Sequence, residues 1–243
     1  MRIFVISLKD KEDRRKQIAS SLGKFNLPYE IVDAVNGREL DREHDPQVFN
    51  GDSFVIRHNF LSKTTCLGRL SDGELGCAMS HLKAYEKIVK DGLEHAIILE
   101  DDMVLSANIE LLFTAALAKK ACADVINAYG WPHGVRQSIF LRKQKFYEEN
   151  GIPYYIQRLG IPYFDWWFSR RRRVNCAGCY LISKKACETV LKYAYPVRME
   201  SDVLIGMLAF NHFKYYGVTP FATDTRGASS IGELGGHGHT KFV

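Results

Sequence analysis

The chain has 243 residues and a formal net charge of +5, with 46% hydrophobic and 25% charged residues. That composition excludes a disordered chain and fits one large domain with a sizeable core. The modest positive charge points to an anionic partner (a nucleotide, a phosphorylated lipid or a membrane surface), and no apolar run approaches the roughly 20 residues of a spanning helix.

"RIFVISL" at residues 2–8 is a compact apolar strand. It is too short for a signal peptide, and charge follows it where a cleavage site would stand, so the expected location is intracellular. Residues 10–25 read as a helix, and "YEIVDAV" at 29–35 as a second strand stopped by Asn36-Gly37. Strand, helix, strand predicts a parallel α/β sheet. Ser71-x-x-Glu74 is a capping-box pattern, and apolar residues from Leu75 to Val89 then keep helical period until Gly92. "HAIILEDDMVL", residues 95–105, reads as a strand that carries Glu100, Asp101 and Asp102. A helix over about 107–121, a strand at 124–129, a strand at 175–183 and a helix from Lys184 to Tyr193 follow. The stretch 129–168 holds all three tryptophans and lacks helical period, and it reads as an irregular insertion on the core. "RRRR" at 170–173 follows it, suited to an anionic membrane surface or a phosphorylated acceptor. No nucleic-acid-binding fold accompanies these arginines. Six cysteines without an Asn-x-Ser/Thr sequon fit free thiols in a reducing compartment. Cys176-x-x-Cys179 lacks the second close pair of a zinc ribbon and reads as buried small residues.

Three consecutive acids at the end of an apolar strand are costly unless a cation offsets their repulsion. Strand alternation would put Glu100 and Asp102 on one side, two hard oxygen ligands suited to Mg²⁺ or Mn²⁺ held together with a diphosphate. A solvated turn is the plainer alternative. An Mg²⁺-dependent phosphatase of the haloacid dehalogenase type is a rival, but its nucleophilic Asp would here be Glu100, and its motif usually follows the first strand. Glu200 and Asp202 form a second acidic pair before an apolar helical run, where a helix N-terminus favours negative charge and a general base is equally at home. His237 and His239 lie two apart in a glycine-rich tail, on one side of an extended chain.

"FVISLKDKEDRR" (4–15), "DAVNG" (33–37), "GELGCAMSHLKAY" (73–85), "AIILEDDMVL" (96–105), "CAGCYLIS" (176–183) and "SDVL" (201–204) occur in an order that resembles glycosyltransferase family 25. That family comprises bacterial lipooligosaccharide galactosyltransferases and their relatives, the collagen galactosyltransferases among them. The resemblance implies a single GT-A-like α/β domain over 1–243: a Rossmann-type mixed sheet flanked by helices, with 129–173 as an aromatic and basic insertion on the acceptor side. It also implies an inverting hexosyltransferase that uses a UDP-sugar, commonly UDP-galactose, with Mn²⁺ or Mg²⁺. The acceptor would be a lipooligosaccharide or other glycan at the inner face of the bacterial cytoplasmic membrane. A nucleotide-sugar-binding protein without turnover is the other reading. By the same resemblance Asp102 is the direct metal ligand, with Glu100 or Asp101 near the ribose or sugar. Ser7, Arg14 and Arg15, then Asp33, Ala34 and Gly37, would hold the nucleotide. Ser80, His81 and Lys83 would face the diphosphate or the acids, although a satisfied core histidine is the blander reading of His81. Asp202 would be the base with Glu200 in reserve, and His237 and His239 further metal ligands.

Overall fold

The computed structural model describes residues 1–57, 63–67, 69–105, 109–129, 145–149, 152–159, 177–209, 212–224 and 241–242. The chain opens with β1 (Ile3–Ser7), α1 (Glu12–Leu22) and β2 (Tyr29–Asp33), and β2 returns parallel to β1. A 3₁₀ turn, Gly37–Glu39, leads to the antiparallel pair β3 (Ser53–Arg57) and β4 (Lys63–Leu67). α2 (Asp72–Lys90) begins with the expected capping box, Ser71 and Glu74 each satisfying the other's backbone N–H, and Gly92 follows it with φ +67°. β5 (His95–Glu100), β6 (Met103–Leu105), α3 (Ile109–Lys119) and β7 (Val125–Tyr129) come next. β8 (Lys145–Glu149), β9 (Ile152–Leu159), β10 (Cys179–Ser183), α4 (Lys184–Ala194), α5 (Ser201–Ala209), β11 (Tyr215–Asp224) and β12 (Lys241–Phe242) complete the described chain.

The main sheet runs β2-β1-β5-β10-β7-β11-β9-β8, with β6 on β11, and a small sheet joins β12, β4 and β3. β2, β1 and β5 are mutually parallel, whereas β10 runs antiparallel to both its neighbours, so the sheet is mixed. This is the mixed α/β sheet flanked by helices that the family resemblance implies; the strand–helix–strand opening predicts a parallel sheet, which holds for β2, β1 and β5 but not for β10.

Alternation along the buried strands divides the core into two layers. Phe4, Ile6, Ile98, Tyr180 and Ile182 join the layer under α2, α4 and α5, with Leu82, Tyr85, Val190 and Ile205. Ile3, Val5, Ile97, Leu99 and Leu181 join the opposite layer under α1 and α3, with Ile18, Leu22, Leu112 and Phe113. The same parity sends Glu100 toward α2, because Ile98 already faces that way.

From β1 the chain passes through α1 to β2 on one side, yet the next parallel partner of β1, β5, lies on its other side. Such a reversal opens a crevice beyond the C-terminal ends of the two strands, the usual ligand position in sheets of this kind. Ser7 ends β1 there and Glu100 ends β5.

The apolar run 95–105 is not one strand. β5 stops at Glu100, Asp101 and Asp102 form a turn, and β6 pairs with β11 rather than extending β5. Strand alternation therefore ends at Glu100 and does not set the direction of Asp102. Within the stretch expected to be irregular, β8 and β9 form an antiparallel pair whose second strand docks on β11. Trp131, Trp166, Trp167, the 170–173 arginines, His237 and His239 lie outside the described residues.

Candidate active site

The floor of the crevice is a hydrogen-bonded frame. Ser7, only 2% exposed, donates from Oγ to Asp101 Oδ2 at 2.6 Å. Arg15, on the first turns of α1, donates from Nη2 to the Ser7 carbonyl at 2.8 Å and to Asp33 Oδ1 at 2.7 Å, and from Nε to the Leu8 carbonyl at 3.1 Å. This bond from Arg15 holds the Asp33 carboxyl below the usual carboxylate range. Arg14 Nη1 stands 3.6 Å from Asp101 Oδ1. The two arginines thus bind the ends of β1 and β2 and the acidic turn into one unit.

The loop after β2 is fastened to α2. Ala34 N–H donates to the Ser7 carbonyl at 2.9 Å, Val35 N–H to Ser80 Oγ at 2.8 Å, and Lys83 Nζ to the Asp33 carbonyl at 2.8 Å. Two glycines allow this approach: a Cβ on Gly37 would stand 1.8 Å from the Asp72 carbonyl oxygen, and one on Gly76 2.6 Å from that of Val35. Ser80, Lys83, Ala34 and Gly37 are therefore brought together, with packing and backbone support as their visible contacts.

The three acids have different surroundings. Glu100 faces α2, where His81 Nε2 lies 3.2 Å from its Oε1 and the Cys77 thiol 3.8 Å from the same oxygen. His81 is fully buried, stacks on Tyr180 with ring centroids 5.8 Å apart, and places Nδ1 2.7 Å from the Tyr180 hydroxyl. The Tyr180 hydroxyl in turn bonds that of Tyr85. Both ring nitrogens of His81 are thus engaged within the protein. Asp101 is bound by Ser7 and Arg14, although burial still raises its pKa above the ordinary value.

Asp102 differs from both. Its Oδ1 is buried and has no hydrogen-bond partner among the described residues. Burial, then the charges of Glu100 and Asp101, push its pKa up to about 7. An orphaned carboxylate oxygen beside two other acids is the donor a divalent cation would satisfy, so the residues present fit Mn²⁺ or Mg²⁺ with Asp102 as the leading ligand.

α5 starts near the same acids through Ser201 and Asp202. Glu200 immediately precedes the helix, its carbonyl accepting from Leu204 N–H at 2.9 Å, and Asp202 stands in the first turn. Burial, then the charges of Glu100, Asp202 and Asp102, raise the Cys77 pKa, while a hydrogen bond from Ser201 at the start of α5 opposes the rise. Cys77, Tyr85, Tyr180 and Ser201 were not singled out from the sequence. The four-residue spacing of Cys77 and His81 on α2 is the signal that was there to find.

The sequence model of glycosyltransferase family 25, described as an LPS biosynthesis protein family, matches residues 1–205. The chain belongs to glycosyltransferase family 25. The family 25 match takes in the whole crevice, from Ser7 through the acidic turn to Asp202. It also separates the chain from the haloacid dehalogenase phosphatases. A Haemophilus influenzae protein described as a glycosyltransferase is 32% identical over 109 residues, 45% of this chain and 35% of that protein. Human inactive glycosyltransferase 25 family member 3 is 31% identical over 134 residues, 51% of this chain and 21% of that protein. Procollagen galactosyltransferase 1-B of Xenopus laevis is 32% identical over 102 residues, 42% of this chain and 16% of its own length. The matches thus span about a third or less of these relatives' own lengths. Among solved structures, S. aureus TarS 1–349 aligns with a TM-score of 0.45 at 10% identity, covering 92% of this chain and 60% of that one. That likeness bears on neither mechanism nor substrate. Among the described residues, no helix is long and apolar enough to cross a membrane.

Proposed function

We propose that the chain is an inverting hexosyltransferase that moves galactose from UDP-galactose to a glycan acceptor, a lipooligosaccharide at the inner face of the cytoplasmic membrane. The observation that carries this reading is the unpartnered, buried Asp102 oxygen in the turn that follows β5, at the end of the sheet where β1 and β5 open the crevice. Family membership and the name of the Xenopus relative support a sugar, and galactose in particular, as the group moved.

In this reading Asp102, with Glu100, holds a divalent cation, which supplies positive charge against the diphosphate leaving group. His237 and His239 are reserve ligands by sequence alone. Arg14, Arg15 and the 33–37 loop form the nucleotide wall, with Arg15 keeping Asp33 and the Ser7 backbone in register. His81 orients Glu100 from behind. Asp202 takes the proton from the acceptor hydroxyl, with Glu200 as the alternative base. The 129–173 segment is assigned to the acceptor side and to peripheral contact with anionic membrane.

The human relative named as inactive matches 51% of the chain, which gives weight to a second reading, nucleotide-sugar binding without turnover. Incubation of the purified chain with labelled UDP-sugars and a panel of glycosides, with and without Mn²⁺, separates the two. Metal-dependent transfer from UDP-galactose is expected. UDP-sugar binding with no product on any acceptor favours the second reading, and full activity in EDTA removes the cation from the mechanism.

A further inference from the structure

Behind the acidic turn lies a ligand set of another chemical kind. Cys77 and His81 stand four residues apart on one face of α2, and the alternation of β5 aims Glu100 at both. The Cys77 sulfur, one His81 ring nitrogen and one Glu100 oxygen all lie within 4.8 Å of one another. Tetrahedral Zn²⁺, with bonds of about 2.0–2.3 Å, sets ligand–ligand edges of about 3.3–3.5 Å. The observed edges from Glu100 Oε1 are 3.2 Å to His81 Nε2 and 3.8 Å to Cys77 Sγ, so side-chain shifts of a few tenths of an ångström along those two edges reach that geometry.

We propose that Cys77, His81 and Glu100 form a binding site for Zn²⁺, distinct from the oxygen-only position at Asp102. Thiolate and imidazole select Zn²⁺ over Mg²⁺ and Mn²⁺, which favour oxygen. His81 is already equipped for the task. Its Nδ1 faces the Tyr180 hydroxyl at 2.7 Å, and the Tyr85 hydroxyl lies beyond it. With Nδ1–H donating to Tyr180, the Nε2 lone pair points at Glu100 and the ion, the outer support that metal-bound histidines commonly have. Cys77 and Glu100 are half-buried while His81 is buried, so the ion enters from the crevice and water supplies the remaining ligand. Zn²⁺ here engages Glu100, the residue this site shares with the acidic turn, but its binding does not depend on the transferase reading.

The test uses the full chain, stripped with EDTA and kept reduced by a phosphine, titrated with Co²⁺ in excess Mg²⁺ while thiolate-to-cobalt absorption is followed in the near ultraviolet. One Co²⁺ per chain, displaced by Zn²⁺, is expected. Cys77→Ser, a near-isosteric change checked by circular dichroism, should abolish the band. Tyr180→Phe should weaken binding about 10- to 100-fold by removing the partner of His81. Asp102→Asn should leave the band in place. A missing band in the wild-type chain, or one that persists in Cys77→Ser, overturns the site. Loss of the band in Asp102→Asn shows that the ion sits in the acidic turn and overturns the claim of a separate site.

Discussion

Replacing Asp102 by Asn removes a charge that the fold holds at a cost. The Asp102 pKa rises from 3.8 to about 7 because the carboxyl is buried beside Glu100 and Asp101. Asp102 therefore binds its proton more tightly in the folded than in the unfolded chain. Its contribution to stability is full below the unfolded pKa and is lost as pH rises through about 7. The shift corresponds to about 4 kcal/mol at pH above 8, using about 1.4 kcal/mol per tenfold change. Asp102 is not fully buried, so solvent screening reduces this to about 2 kcal/mol. In the absence of metal, Asp102→Asn should be more stable than the wild type by that amount at alkaline pH, or about 4–8 °C in Tm for a chain of this size. The advantage should shrink as pH falls toward 4. Urea unfolding in EDTA at a series of pH values measures it, and added Mn²⁺ should then stabilise the wild-type chain selectively. A variant less stable than the wild type at pH 8, or a difference that does not change with pH, refutes the account of Asp102 as a buried, uncompensated carboxylate.

Gly37→Ala should cost more than the roughly 1–3 kcal/mol of ordinary overpacking, because its Cβ meets the Asp72 backbone at 1.8 Å. Gly23→Ala, with φ −59° and no neighbour of the new Cβ closer than 3.6 Å, should hold or raise the Tm. Ser7→Ala breaks the 2.6 Å bond to the Asp101 carboxylate and should lose about 1.5–3 kcal/mol in urea unfolding. With the proposed base, Asp202→Asn should lower turnover about 10²- to 10⁴-fold while UDP affinity by calorimetry is unchanged, and Glu200→Gln should do less. A large loss of UDP affinity in Asp202→Asn moves that residue to the donor side.

Wherever local pattern and tertiary structure agree, the sequence is a sound guide. β1 and β10 are buried along their whole length, and the capping box at Ser71 starts α2 at the expected residue. The failures are non-local. β6 reads as the continuation of β5 because its residues are apolar, but its partner, β11, lies more than a hundred residues away. The pairing of β9 with β11 is equally invisible to periodicity, since aromatic and β-branched residues suit a strand without naming its neighbours. Gly37 shows the same limit in the site. As a sequence element it belongs to a binding loop, whereas its visible constraint is the backbone of α2, thirty-five positions downstream.

The acidic run carries this point furthest. Glu100, Asp101 and Asp102 form one motif in sequence, yet the fold gives each a different chemical setting. Glu100 is held against His81 and Cys77, and Asp101 is tied to Ser7 and Arg14. Two of the three charges thus have protein partners that position them, and what they position is the turn that carries the third. Asp102 Oδ1 is left without a partner among the described residues, at a site where its ionisation opposes folding. A buried polar atom without a partner is rare because it costs free energy, and one surrounded by like charge costs more. The bonds on either side fix the backbone of the turn that carries Asp102. The turn therefore holds one unsatisfied carboxylate oxygen, and the stability that its ionisation forgoes returns when the carboxyl is protonated or, in the proposed reading, when a cation binds.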